Sequence, residues 1–138
     1  GFANQPNSDH RGDGLELTDC YITAAVHCAP PANKPSASEF KRCRVYLVQE
    51  LELLRSQIEV VIVLGKIAFD AYLKAFQENG GVLPSPRPKF GHGVSVRLPA
   101  GPYLICSYHP SQQNTFTGKL TRPMFQAVFQ KARSVLSK

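Results

Sequence analysis

A histidine at the end of an apolar run, then a proline, then a series of amides and hydroxyls, is where this chain carries its chemistry. The stretch reads Ser107-Tyr108-His109-Pro110-Ser111-Gln112-Gln113-Asn114-Thr115-Phe116-Thr117-Gly118. His109 can serve as a general acid or base, or donate a hydrogen bond to an oxyanion as it develops. Gln112, Gln113, Asn114, Thr115 and Thr117 can bond phosphate oxygens or base edges. Phe116 can wedge or stack against a base. The plainer reading is a turn histidine satisfied by its neighbours, followed by a solvated loop with one anchoring aromatic. Loops held on a rigid scaffold tend to carry sites, which favours the functional reading.

Other residues offer weaker chemistry. Gly65-Lys66 follows a buried apolar run and resembles a stripped phosphate site at a helix start. It lacks a full Gly-rich loop, so a plain strand-to-helix turn stands beside that reading. Cys28 and Cys43 are fifteen positions apart and joined by a Pro-rich loop. They could meet as half of a metal site, or be two buried small apolar residues. Two thiolates do not complete a four-cysteine cluster. Cys20 and Cys106 are read as core residues inside strands, and His10 and His92 have no evident partner. No pair of carboxylates stands out: Asp9, Asp13, Glu16 and Asp19 lie near the start, and Asp70 falls inside a helix.

These residues need elements to hold them. Asp19 to Val26 is rich in β-formers and reads as a buried strand ending at His27-Cys28. Pro30, Pro31 and Pro35 then forbid a helix. Ser36 and Glu39 form a capping-box pair, and Phe40, Cys43, Leu47, Leu51 and Leu54 recur on one helical face. Ile58 to Leu64 is apolar on both faces, as a central parallel strand is. A second helix is expected over Ile67 to Gln77, and residues 79–92 read as a mobile loop. Val94 to Leu98 alternates like a strand, and Tyr103 to Cys106 leads into the histidine stretch. The last helix opens at Thr121 with Pro123 in its first turn. Its apolar face is Met124, Phe125, Val128, Phe129, Ala132, Val135 and Leu136.

Alternation of strands and helices predicts an α/β fold, three layers α/β/α, with a central, mostly parallel four-stranded sheet. Ligands in such folds bind outside the carboxyl ends of the strands. The polar residues of interest fall at three such ends: Val26-His27-Cys28, Leu64-Gly65-Lys66 and Tyr108-His109-Pro110. The 138 residues suffice for one domain, with residues 1–18 expected as a loop or frayed tail. Hydrophobic residues at 43% against 19% charged exclude a disordered chain. A net charge of +6 suits a polyanionic partner. No apolar run approaches the roughly 20 residues of a membrane span. No signal peptide is expected, so thiols or metal ligands are favoured over disulfides.

Taken together, these residues resemble the uracil-DNA glycosylase superfamily, specifically family 5 of its iron–sulfur branch. Tyr21-Ile22-Thr23-Ala24-Ala25-Val26-His27-Cys28-Ala29-Pro30-Pro31-Ala32-Asn33-Lys34-Pro35 resembles the segment that carries the third cluster cysteine, and Cys43 stands at the spacing of the fourth. Val63-Leu64-Gly65-Lys66-Ile67-Ala68 resembles the central strand and turn. His109-Pro110-Ser111-Gln112-Gln113-Asn114 resembles the His-Pro-Ser loop that enters the minor groove. Ala24-Ala25, where family-4 enzymes have an asparagine, and the long continuation through Gly118 point to family 5. The likeness runs over nearly the whole chain from Asp13 onward.

The resemblance implies a repair enzyme that flips uracil, or another deaminated base such as hypoxanthine, out of double- or single-stranded DNA and hydrolyses its glycosidic bond. It implies that His109 bonds the leaving base and that Ser111, Gln112, Gln113, Asn114, Thr115 and Phe116 enter the duplex. Asn33 would contact the base, and Gly65 and Lys66 a phosphate. It also implies a 4Fe–4S cluster with Cys28 and Cys43 as two of its four ligands, and a monomer in a prokaryotic cytoplasm beside the nucleoid. The family's Gly-x-Ala-Pro motif, water-activating residues and first two cluster cysteines are not in this sequence. An amino-terminal segment is therefore expected upstream of Gly1, and these 138 residues alone are expected to lack glycosylase activity and an intact cluster. A noncatalytic nucleic-acid-binding module is the alternative, and a small nucleotide-binding domain built on Gly65-Lys66 the third reading.

Overall fold

The computed structural model describes residues 1–26 and 36–138. Four helices and three strands follow one another as α1 (Ala37–Leu54), β1 (Val60–Leu64), α2 (Lys66–Glu78), β2 (Ser95–Arg97), β3 (Tyr103–Ser107), α3 (Gln112–Phe116) and α4 (Arg122–Leu136). Side chains cap the starts of α1, α3 and α4. Ser36 accepts the amide of Glu39, and the Glu39 carboxylate accepts the amide of Ser36 at 2.7 Å, so two donors left over at the start of α1 are met reciprocally. Thr121 accepts the amide of Met124, and Pro123 occupies a position that needs no amide proton.

β3 lies between β1 and β2, parallel to the first and antiparallel to the second. The parallel pair sets Val63 beside Cys106 and Leu64 beside Ser107. Side chains alternate across it with the strand period of two. Val63, Leu104 and Cys106 join Phe69, Tyr72 and Leu73 of α2 on one face. Ile105, with Val60, Ile62 and Tyr103, meets Val128 and Ala132 of α4 on the other. α1 packs against α2, outside that first face. Leu73, Leu98, Leu104 and Ile105 are fully buried, each worth about 1.5–3 kcal/mol over the exposed side chain. The three-layer α/β/α architecture expected from the sequence is therefore present.

Several expectations are corrected. The sheet has three strands among the described residues, not four, and only one of its two pairings is parallel. The turn over residues 98–102 is too short for a parallel crossover, so β2 and β3 form an antiparallel hairpin. Asp19 to Val26 forms no strand: Tyr21 is 61% and Ile22 73% exposed. β-propensity expresses fit to a pleated, half-buried surface, and this segment meets none. It is tied instead to α1, where the Thr23 hydroxyl donates to the Glu50 carboxylate. Cys20 accordingly lies outside any strand, whereas Cys106 is buried in β3.

Residues 1–18 are not frayed. Ala3 and Leu17 form an antiparallel bridge, and the Asn4 side chain clasps Gly14 and Glu16. Asp13 accepts the amides of Leu15 and Asp9, which hold its carboxyl below the usual carboxylate range. Phe2 docks this loop on Phe129 of α4, with the Arg133 guanidinium 4.4 Å from its ring centre.

Candidate functional site

The carboxyl ends of β1 and β3 meet, and the two stretches singled out in the sequence meet with them. The Gly65 amide donates to the Ser107 carbonyl at 2.8 Å, one residue beyond the last ladder position. Gly65 has φ of +94°, which residues with a Cβ rarely adopt. A Cβ there would stand 3.2 Å from the Cβ of His109. The turn into α2 thus calls for glycine, and the missing Cβ eases the approach of His109. Ser107, fully buried, donates its hydroxyl to the Tyr108 carbonyl at 2.8 Å. His109 itself is exposed.

Residues after His109 form a short helix, α3, rather than the loop expected. Ser111 caps it by accepting the Asn114 amide, and the Asn114 side-chain amide donates back to the His109 carbonyl at 2.9 Å. The Asn114 carbonyl also accepts the Leu120 amide. Thr115 and Thr117 donate to the carbonyls of Ser111 and Gln113. Ser111, Asn114 and Thr115, expected to touch DNA, thus have local bonds that shape the element. Gln112 and Gln113 are exposed, and Phe116 is 83% exposed. These three side chains are open to solvent.

Lys66 stands beside Gly65 at the start of α2. Its ammonium bonds both carboxylate oxygens of Asp70 at 2.6 Å and lies 5.5 Å from the Phe69 ring centre. No acidic residue occupies the first turn of α2, so the positive end of the helix dipole is not offset there.

One residue at the site was not legible as functional. His92, read without a partner, accepts the Tyr108 amide on Nδ1 at 3.1 Å and lies ring to ring with Tyr108 at 5.0 Å. The signal lies in the hairpin. β2 and β3 pair Ser95 with Ile105 and Arg97 with Tyr103, and the turn that leads into β2 carries His92 beside Tyr108. Phe90 packs on both Phe69 and Tyr108. The segment expected to be mobile is therefore fastened at its end to the site. Lys119 reaches over the Tyr108 ring from beyond α3, at 4.8 Å.

Asn33 and Cys28 lie outside the described residues. Cys43 is 6% exposed on the inward stripe of α1, where a cluster thiolate can be shielded from water. The chain up to Ala25 reaches this helix: Ala25, Phe40, Arg44 and Leu47 help line a cavity of about 240 Å³ between α1 and α2. No group of three His, Cys, Asp or Glu side chains able to hold a metal gathers among the described residues. None of the described helices is long and apolar enough to cross a membrane.

Comparison with known proteins meets this geometry from another direction. The chain is 44% identical over 133 residues to a type-5 uracil-DNA glycosylase of Thermus thermophilus, covering 96% of this chain and 58% of that one. It is 40% identical over 135 residues to a type-5 uracil-DNA glycosylase of Mycobacterium tuberculosis, covering 98% and 49%. Against a type-4 uracil-DNA glycosylase of Pyrobaculum aerophilum the identity falls to 28% over 120 residues, covering 86% and 56%. The chain thus spans about half the length of the curated relatives it matches. The family model for the uracil DNA glycosylase superfamily matches residues 1–133, from the docked amino-terminal loop into the last turn of α4, and by that match the chain belongs to the uracil DNA glycosylase superfamily.

Proposed function

We propose that this chain is part of a DNA glycosylase that excises uracil, and other deaminated bases such as hypoxanthine, from DNA. The observation that carries this reading is the seating of exposed His109 against Gly65 where β1 and β3 end together. Hydrolysis breaks the bond between the sugar C1′ and the base nitrogen. Water supplies the oxygen that bonds to C1′, and the base departs with the bonding electron pair. A donor held at the base oxygen stabilises the charge that builds there. The exposure of His109 and its backing by a buried strand end support that role. Gln112, Gln113 and Phe116 are the exposed side chains that reach into the duplex and replace the extruded nucleotide. Gly65 and Lys66, at the open end of the α2 dipole, suit a backbone phosphate. Asn33 is proposed to contact the base.

A 4Fe–4S cluster is proposed as well, with Cys28 and Cys43 giving two of its four thiolates. Bound there, it would supply a covalent staple between the Pro-rich segment and α1. The buried setting of Cys43 supports this. The protein is proposed to act as a monomer on double- or single-stranded DNA.

The test is uracil release from a uracil-containing duplex by the protein at its natural length, with His109→Ala beside the wild type. Removal of a positioned donor should slow release by about 10²-fold or more. Affinity for the duplex should change far less. Equal losses in both would contradict the role given to His109. Salt-sensitive binding with no release by the wild type would instead establish the noncatalytic module.

A further inference from the structure

We infer that His92 is a positioning residue for His109, acting through the backbone of Tyr108. The inference rests on the glycosylase reading above and adds to it a residue in the turn before β2. Tyr108 is the link between the buried end of β3 and His109. Its carbonyl is held by the Ser107 hydroxyl at 2.8 Å. Its amide, one residue past the ladder, is held by His92 Nδ1 at 3.1 Å. Both backbone polar groups next to His109 are thus fixed by side chains, where the regular ladder has already ended.

The ring contacts reinforce the bond. Tyr108 lies 5.0 Å from the His92 ring and 6.3 Å from Phe90, with Lys119 on its ring at 4.8 Å. His92 is carried on a rigid support, because the neighbouring Gly93 amide donates to the Cys106 carbonyl at 2.8 Å. The next residue's carbonyl, that of Val94, accepts the Cys106 amide. An acceptor at Nδ1 requires the neutral imidazole with its proton on Nε2. His92 therefore does not contribute a cation here. It supplies a lone pair at the place where the strand turns outward, and it sets the direction in which His109 leaves the sheet.

Two variants separate this role from simple packing. H92F keeps a ring against Tyr108 and removes the acceptor. H92N places a side-chain oxygen close to the position of Nδ1 and restores it. In the protein at its natural length, H92F should slow single-turnover uracil release about tenfold or more, because small misplacements of a catalytic group are costly. Binding of undamaged duplex should stay within about twofold, since phosphate contacts dominate it. H92N should recover most of the rate. The Tyr108 amide should exchange with solvent about tenfold faster in H92F than in the wild type, as expected for a lost hydrogen bond.

An unchanged rate in H92F, an H92N rate no better than H92F, or parallel losses of release and binding would overturn the inference. If the wild type releases no uracil, the functional reading fails on its own. The brace is then decided by exchange alone, and equal Tyr108 protection in wild type and H92F overturns it. An unprotected Tyr108 amide in the wild type overturns it without any variant.

Discussion

Ser111 opens α3 by accepting the amide of Asn114, and Thr121 opens α4 by accepting the amide of Met124. From that shared start the two helices diverge. α4 runs from Arg122 to Leu136 and buries Val128 and Ala132 against the sheet. α3 runs from Gln112 to Phe116, buries nothing, and leaves its one aromatic 83% exposed. Local capping decides where a helix begins. Burial decides whether it becomes scaffold. α3 has the first without the second, so its order comes from Asn114, which ties it to His109 on one side and Leu120 on the other. It is attached to the site rather than to the core.

The widest separation between the helices should come from one negative charge placed on each. V128D buries an unpaired carboxylate at a position 3% exposed and should cost about 3–5 kcal/mol, read from urea unfolding. F116D should leave stability within about 0.5 kcal/mol while weakening DNA binding. Equal destabilisation by the two would erase the contrast.

Next in size is the junction that supports α3. G65A forces a Cβ into a backbone with φ of +94° and to 3.2 Å from the His109 Cβ. The expected cost is about 1–3 kcal/mol. Uracil release should fall further than that loss accounts for when assayed well below the melting point. A G65A protein with full activity would show that the contact does not position His109.

The finest test compares the caps. T121A should lower global stability by about 1 kcal/mol. S111A should lower it by less than about 0.5 kcal/mol, because α3 can open without the core. Its cost should appear instead as weaker DNA binding. If S111A matches T121A in an unfolding curve, α3 is part of the cooperative unit and the distinction fails.

Much of the scaffold is legible in residue spacing. The Ser36–Glu39 box, the Thr121 cap with Pro123, and the α4 stripe through Val128 and Ala132 are local codes with one solution. β1 is legible because it is apolar on both faces. The strand-end location of Gly65 and His109 follows from the α/β order. What stayed hidden depended on partners distant in sequence. Tyr21, Ile22 and Val26 carry strand propensity but meet no sheet edge. β2 reads as a strand, yet its direction depends on the length of the turn after it. His92 is unremarkable until the folded hairpin brings the turn before β2 beside Tyr108. α3 is hidden because Phe116 is its single apolar residue, so no apolar period announces it.

The parallel pairing of β1 with β3 has a consequence in time as well as in space. The long-range contacts of the site, Gly65 to Ser107, Gly65 to His109 and His92 to Tyr108, span that crossover or the hairpin inside it. Non-local parallel pairing is slow to form, since the intervening chain must close first. Residues 65–102 must therefore be wound into α2 and β2 before His109 has anything to rest against. During refolding, the helices should regain their signal before the surroundings of His109 regain their shape, making the site a late arrival on the folding path.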